Sequence, residues 1–218
     1  MTGAEVLEQR QLLTDVVAVT IKGNSISLVG DGDPNWLTIG RNGDNVWLQG
    51  IDGTTFSKDA LDPDKGDSLA PDSFVTNIDV GEVESLKINL KGGGDYVEIH
   101  PLKISGNTTI NLGSGDDDVN FRGDLPTPLD AAVSQGKTIV KGGSGRDAIR
   151  FFDWQLDGQT KVASGSGGDL LVLNGTEING KFAANHGSGN DATYVKESTF
   201  SGTSESIVVN GGSGSDVL

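Results

Sequence analysis

The sequence predicts an all-β fold, a right-handed parallel β-helix with about three short strands in each coil of about 22 residues, and three observations carry that expectation. The first is a glycine turn ending in aspartate, with aspartates at 95, 117, 147, 169, 191 and 216, so that the intervals are 22, 30, 22, 22 and 25. One period of 22 is thus interrupted by insertions of 8 and 3. The second is alternation after each turn. Val97, Val119, Ile149, Leu171 and Thr193 stand two residues past an aspartate, and Ile99, Phe121, Phe151, Leu173 and Val195 four past. An apolar period of two marks a strand with one buried face. The third is a half-period: Gly106, Gly158, Gly180 and Gly202 each lie eleven residues after a turn aspartate and predict a second corner.

The remaining ranks complete the coil. Ile104, Leu156, Ile178 and Phe200 recur nine residues after the aspartate, and Ile110, Val162, Ala184 and Val209 come just before the next turn. Equivalent residues of successive coils then stack at about 4.8 Å, the strand spacing, and build apolar ladders. Handedness follows from the general chirality of β crossovers.

From the N-terminus, residues 1–15 predict an arm or capping helix, 16–90 a β region with degenerate coils, and 91–218 the solenoid. The segment Ala4–Leu13 carries the chain's single helical period. Within it, Leu7-Glu8-Gln9-Arg10-Gln11-Leu12-Leu13 resembles the LEPR-XLL segment of large exported bacterial surface proteins, with Gln9 where that motif has proline. An amphipathic cap over the first coil is the alternative, since solenoid ends need covering. Val17–Ile21, Ser25–Val29 and Asn45–Leu48 predict short strands with antiparallel pairing, divided by Gly-Asn and Gly-Asp turns. Gly40–Leu48 reads as a degenerate turn copy, which makes Asp44 a further candidate ligand. Residues 59–73 read as an acidic solvated loop, since Ser73 stands where an EF-hand needs its bidentate Glu. The insertion between Phe121 and Gly136 carries Pro126 and Pro128 and predicts a bulge. Its Arg122-Gly123-Asp124 is set aside as a coincidence of common surface residues.

Composition bounds the function. Net charge is −15 from 16 Lys+Arg and 31 Asp+Glu, which argues against a nucleic-acid partner and for cations. With 33 glycines and 34% hydrophobic residues, thin coils with many corners are favoured over a deep core. There is no cysteine, so neither disulfides nor thiolate metal sites are available. No stretch is apolar enough to span a bilayer, and the first residues lack a signal-peptide pattern.

Glycine and aspartate at a corner have a chemical reading. Glycines supply positive φ and let carbonyls converge, and carbonyls with carboxylates form a hard oxygen site that suits calcium. Stacked aspartates about 5 Å apart would otherwise repel by about 3 kcal/mol at an effective dielectric near 20. Ions between coils turn that repulsion into cohesion.

The clearest turns are Gly113-Ser114-Gly115-Asp116-Asp117, Gly143-Ser144-Gly145-Arg146-Asp147, Gly165-Ser166-Gly167-Gly168-Asp169, Gly187-Ser188-Gly189-Asn190-Asp191 and Gly212-Ser213-Gly214-Ser215-Asp216, preceded by Gly92-Gly93-Gly94-Asp95. They resemble the G-G-x-G-x-D-x-U-x nonapeptide of the RTX family of secreted calcium-binding proteins, over residues 91–218. The resemblance implies several calcium ions held by Asp117, Asp147, Asp169, Asp191 and Asp216, with Asp95 joining them, and by the turn carbonyls around Gly113, Gly115, Gly143, Gly145, Gly165, Gly167, Gly187, Gly189, Gly212 and Gly214. RTX β-rolls place a calcium turn every nine residues on both edges, whereas this chain has one per 22, so calcium is expected at one corner. Lys91, Arg146 and Lys161 are cations near the turns that compete for a carboxylate.

Three function classes remain. A structural protein comes first: an extracellular filament subunit joined head to tail, because the sequence stops at Asp216-Val217-Leu218 inside a strand, or an RTX-type segment of a larger secreted adhesin. Its expected partners are other copies of itself, calcium and a cell-surface or matrix polysaccharide. An enzyme acting on polysaccharide is the second class. His100 and His186 are the two histidines, no zinc or nucleophile-elbow motif surrounds them, and acidic pairs such as Asp153 and Asp157 do not stand out. An ice-binding module is the third, although Ser replaces the Thr of such arrays and Asn occurs at the second array position only at Asn190.

Overall fold

The computed structural model of the protein describes residues 15–43, 45–57, 74–79, 82–123, 132–201 and 207–218, with the backbone alone for 74–79. The predicted N-terminal arm, Asp44, the acidic loop at 59–73, Gly202, and Asp124, Pro126 and Pro128 of the long insertion lie outside the described residues.

Among the described residues the chain is all strand, turn and corner. The N-terminal part comprises β1 (Val16–Lys22), β2 (Ser25–Val29), β3 (Trp36–Asn42), β4 (Asn45–Ile51), β5 (Thr55–Phe56) and β6 (Phe74–Asp79). Then each repeat supplies three strands. They are β7 (Ser85–Asn89), β8 (Tyr96–Ile99) and β9 (Lys103–Ile104); β10 (Thr108–Ser114), β11 (Asp118–Arg122) and β12 (Val133–Ser134); and β13 (Thr138–Ser144), β14 (Ala148–Phe152) and β15 (Gln155–Leu156). The series continues with β16 (Thr160–Ser166), β17 (Leu170–Asn174) and β18 (Glu177–Ile178), then β19 (Phe182–Ser188), β20 (Ala192–Lys196) and β21 (Thr199–Phe200), and ends with β22 (Ile207–Asn210).

The repeat length dictates the topology. Each strand pairs in parallel with its equivalent one repeat away, giving three sheets ordered β22-β19-β16-β13-β10-β7-β2-β1-β5, β20-β17-β14-β11-β8-β3-β4-β6 and β21-β18-β15-β12-β9. The 30-residue interval leaves the stack intact, because β10 pairs with β13 and β11 with β14 in register on either side of the insertion. The N-terminal strands pair differently. β1 with β2, β3 with β4, and β4 with β6 are antiparallel, while β2 and β3 join β7 and β8 in parallel. Stacking therefore begins with β2 and β3. The copy that stacks is Gly30–Ile39, whose Trp36–Ile39 pairs with Tyr96–Ile99. Gly40–Leu48, expected to be a turn copy, instead belongs to the β3–β4 hairpin, with Asn42 opposite Asn45.

The inward ranks are the core. Ile88, Ile110, Val140, Val162 and Ala184 form one buried ladder, and Val97, Val119, Ile149 and Leu171 another. Phe121 stacks on Phe151 with ring centroids 4.5 Å apart, and Trp154 meets Phe121 edge-on at 5.2 Å. Thr108, Thr138 and Thr160 are stacked and buried at the start of the first sheet's strands. The ladders open at the C-terminal end. Val195 and Phe200, read as core from the alternation, are 50% and 37% exposed because no further coil covers them.

Glycine is required at the turns for a reason beyond φ. Gly165 has φ +117°, and a Cβ there would lie 1.9 Å from the carbonyl oxygen of Gly143, its equivalent one coil before. The pattern repeats through the column, at 1.8 Å for Gly143 on Gly113 and 1.9 Å for Gly187 on Gly165. Gly165→Ala is expected to cost at least about 2 kcal/mol, strain plus overpacking, in denaturant unfolding. Gly23→Ala, with φ +53° but open space around it, isolates the φ contribution at about 1 kcal/mol. Equal losses for the two variants would show that the close approach between coils is not what selects glycine.

Candidate metal centre

The turn aspartate has the same parity as the inward residues two and four positions later, so in Asp117-Asp118-Val119-Asn120-Phe121 its side chain enters the interior with Val119 and Phe121. Asp95, Asp117, Asp147, Asp169 and Asp191 are all about 98% buried. Each is fastened to the repeat before it. The N–H of Asp95 donates to Asp117 Oδ1 at 2.8 Å, that of Asp117 to Asp147 Oδ1 at 3.1 Å, and that of Asp147 to Asp169 Oδ1 at 2.9 Å. Asp169 donates to Asp191 Oδ1 at 2.8 Å and Asp191 to Asp216 Oδ1 at 3.0 Å. The ladder also continues backward: the Asn35 N–H donates to Asp95 Oδ1 at 2.8 Å.

Asp95 is therefore a full rung. Asn35, which the repeat count did not identify, occupies the equivalent place in the first stacked corner, Asp31-Gly32-Asp33-Pro34-Asn35, and is fully buried. The signal was a Gly-x-Gly-x-x-Asn spacing at Gly30, Gly32 and Asn35, hidden by the long hairpin that separates it from Asp95.

The second carboxylate oxygen of each rung has no partner. Oδ2 of Asp95, Asp117, Asp147, Asp169 and Asp191 is buried without a hydrogen bond. A Cβ on Gly142 would fall 2.3 Å from Asp147 Oδ2 and 2.5 Å from the Ser164 carbonyl oxygen, and one on Gly211 would fall 2.5 Å from Asp216 Oδ2. Burial pushes the carboxyl of Asp147 up to about 7 and that of Asp95 up to about 8, against the opposing backbone hydrogen bonds. Asp117 and Asp169 are raised for the same reason. A charged, unaccompanied carboxylate is thus disfavoured at these four rungs. Protonation or a cation relieves it.

The corner fits a hard cation in its donor chemistry, offering one unpartnered carboxylate oxygen in each of five repeats, with the Ser164 carbonyl oxygen bordering the same space as that of Asp147. It is not a multidentate carboxylate cage: among the described residues no three His, Cys, Asp or Glu converge on one point. The turn glycines 113, 115, 143, 145, 165, 167, 187, 189, 212 and 214 all have positive φ, and their column packs carbonyl against Cα from coil to coil. Arg146 turns away from Asp147: its N–H donates to Asp116 Oδ1, and its guanidinium lies 3.8 Å from Asp116 Oδ2.

The histidines are placed by packing. His186 fills the interior position just before its turn, where other repeats carry Leu90, Leu112, Gly142, Ser164 and Gly211. It is fully buried, with Nδ1 3.1 Å from Ser164 Oγ and Nε2 2.6 Å from Thr193 Oγ1. Solvent does not reach this Ser-His-Thr chain. His100 lies on the outer face, with Nε2 3.8 Å from Glu98 Oε1 and its ring 5.3 Å from that of Trp47. Glu98 also accepts from Tyr96 and Arg122. Asp157 accepts from Gln155 and Asn179, while Asp153 holds a positive-φ corner.

Two outcomes are expected in metal-free solution. A carboxyl raised in the folded state holds its proton where the unfolded chain, with its ordinary value near 4, has lost it. Its stabilisation is complete below about pH 4 and is lost as pH rises through about 7 for Asp147 and 8 for Asp95. Unfolding free energy in EDTA should therefore fall between pH 5 and pH 8. A flat profile would show the rungs ionised and neutralised by another group. Asp147→Ala strands the Asp117 N–H and should cost about 1–3 kcal/mol, whereas Asp147→Asn keeps the acceptor and should cost less than half as much.

Comparison with protein-family models, with curated proteins and with solved structures finds no match. Function is therefore argued from the corner itself.

Proposed function

We propose that the protein is a structural calcium-binding solenoid, a right-handed parallel β-helix whose aspartate corner carries calcium ions in a column, and that it works outside the cell as part of a surface or filament assembly. One observation carries this reading: the same carboxylate oxygen is buried and unpartnered in five successive repeats. A single orphan could be a local defect, but five in register call for a common counter-charge. A divalent ion supplies it, and oxygen donors with tolerant geometry favour calcium. Asp95, Asp117, Asp147, Asp169, Asp191 and Asp216 would hold the ions with turn carbonyls. The RTX-like spacing of the same residues points the same way.

Two assemblies have separate support. The C-terminal end exposes apolar residues that the repeat pattern places inward, Val195, Phe200 and Leu218; β21 and β22 each pair on one side, and beyond β17 the strand β20 meets only the bridge of Ala192 to Val217. An open edge of this kind accepts a further coil, whether from a longer chain or from another copy, and with another copy the assembly is a head-to-tail filament. The opposite end favours a segment of a longer adhesin: among the described residues its first and second sheets finish on β5 and β6, where antiparallel β1–β2 and β4–β6 pairs stand beside a two-residue parallel β1–β5 pair, a pairing unlike that of the later coils.

Calcium at a hundredfold excess over its dissociation constant should stabilise the folded protein by about 2.7 kcal/mol per independent site, a rise in melting temperature of about 5–10 °C. The double variant Asp147→Asn with Asp169→Asn should fold and lose about a third of the total rise, since it removes two of the six carboxylates. Equal melting temperatures in calcium and EDTA for the native sequence would refute a calcium column. Negative-stain images showing filaments that disperse in EDTA support the first assembly, and single particles in both conditions the second.

A further inference from the structure

The first sheet has an outer face unlike the rest of the molecule. The chain carries 31 Asp+Glu against 16 Lys+Arg, yet none of the nine strands β1, β2, β5, β7, β10, β13, β16, β19 and β22 contains a single Asp or Glu. Lys22, Lys87, Lys141 and Lys161 lie in those strands, and Lys137 and Lys181 stand immediately before β13 and β19, against Asp15 and Glu84 immediately before β1 and β7. All six lysines are exposed, and among the described residues none is in an ion pair. Several cations elsewhere on the surface are paired, Lys103 with Glu82, Arg122 with Glu98, and Arg150 with Asp118, while Lys91 at the first-sheet corner is exposed and outside any ion pair among the described residues. The face is positive on a protein whose net charge is −15.

Register arranges these lysines among neutral hydrogen-bonding groups. Lys87 is followed across the sheet by Thr109, Ile139 and Lys161, while Asn89 is followed by Asn111 and Lys141. Lys137 and Lys181 precede Thr138 and Phe182, which lie two strand spacings apart, about 9.6 Å. At the N-terminal end of this face there is a cavity of about 320 Å³ lined by Thr20, Lys22, Ser25, Ile26, Ser27, Ser85 and Lys87. Two lysines and four hydroxyl-bearing residues thus line one concavity. It opens onto the lysine face, since Ser25 is in register with Ser85, and Ser27 with Lys87.

We infer that this face binds an anionic polysaccharide, with the cavity at β1, β2 and β7 as its principal subsite. The charge is complementary to carboxylate groups, and the hydroxyls and the Asn89 and Asn111 amides match the hydroxyls of a sugar chain. Single-stranded nucleic acid would need aromatic platforms, and the sheet's aromatic residues, Phe56 and Phe182, are buried. The face also lacks arginine, the residue whose planar fork suits phosphate. This reading stands apart from calcium, because none of the rungs belongs to the face.

The test is calorimetric titration of the full chain with hyaluronate, uncharged dextran, oligothymidylate and anionic phospholipid vesicles, at constant calcium and two ionic strengths. Hyaluronate should bind, more weakly at the higher salt, and dextran should not. Lys22→Gln with Lys87→Gln should weaken hyaluronate binding at least tenfold with an unchanged melting temperature, and Lys137→Gln with Lys161→Gln and Lys181→Gln severalfold. Lys103→Gln should leave it unaltered. The inference is overturned if hyaluronate fails to bind, if dextran binds equally, if oligothymidylate or vesicles bind more tightly, or if both lysine combinations bind as the native protein does.

Discussion

A backbone N–H donated by one aspartate to the carboxylate of the aspartate in the next repeat is the contact on which the rest of this molecule depends. It fixes register at one corner of every coil, from Asn35 to Asp216, and register decides which residues face inward. A slip of one residue at any rung would turn Val119, Phe121 and their equivalents to solvent. The same contact brings a cost: it draws a carboxylate into an apolar interior and satisfies only half of it. The close glycine column follows from the same geometry, since coils drawn together at this corner leave no room for a Cβ.

Much of this was legible in the sequence. The 22-residue beat, the alternation after each turn and the half-period corner anticipated three strands per repeat and the ladders through Ile110, Val119 and Phe121. The aspartates were legible as a column, yet their direction was not drawn from it. Parity carried that information, because Asp117 shares it with Val119 and Phe121, but the chemistry of aspartate suggests a solvent-facing or ion-facing group. Glycine was read for its φ and for carbonyls around an ion; the contact of Gly165 with the Gly143 carbonyl depends on coil separation, which no single repeat displays. The first corner escaped because the β3–β4 hairpin and the segment through β6 separate Asn35 from Asp95 by 60 residues. His186 escaped because a histidine preceding a surface turn gives no sign that its position points inward.

Charge is distributed around the coil as well as along it. One corner conceals carboxylates, the second sheet displays Glu98 and Asp118 tied to arginines, and the first sheet displays lysines among amides and hydroxyls. Net charge averages these into a single negative number and hides all three. A solenoid can keep such differences apart because each sheet repeats its own column of residues while the inward ranks hold the coils together. One side can therefore change its chemistry with little consequence for the others.

The antiparallel start lowers the cost of the first parallel coil. Parallel coils have high contact order and must close a loop of a whole repeat before pairing rewards it. The β1–β2 and β3–β4 hairpins close over a few residues, and they present β2 and β3 as ready edges for β7 and β8. Once these edges exist, each later coil adds to a finished template, so the costly first step is taken once. Among the described residues the N-terminal hairpins are thus the pairings that cost least to close, and the edges they present spare the first parallel coil from having to form without a template.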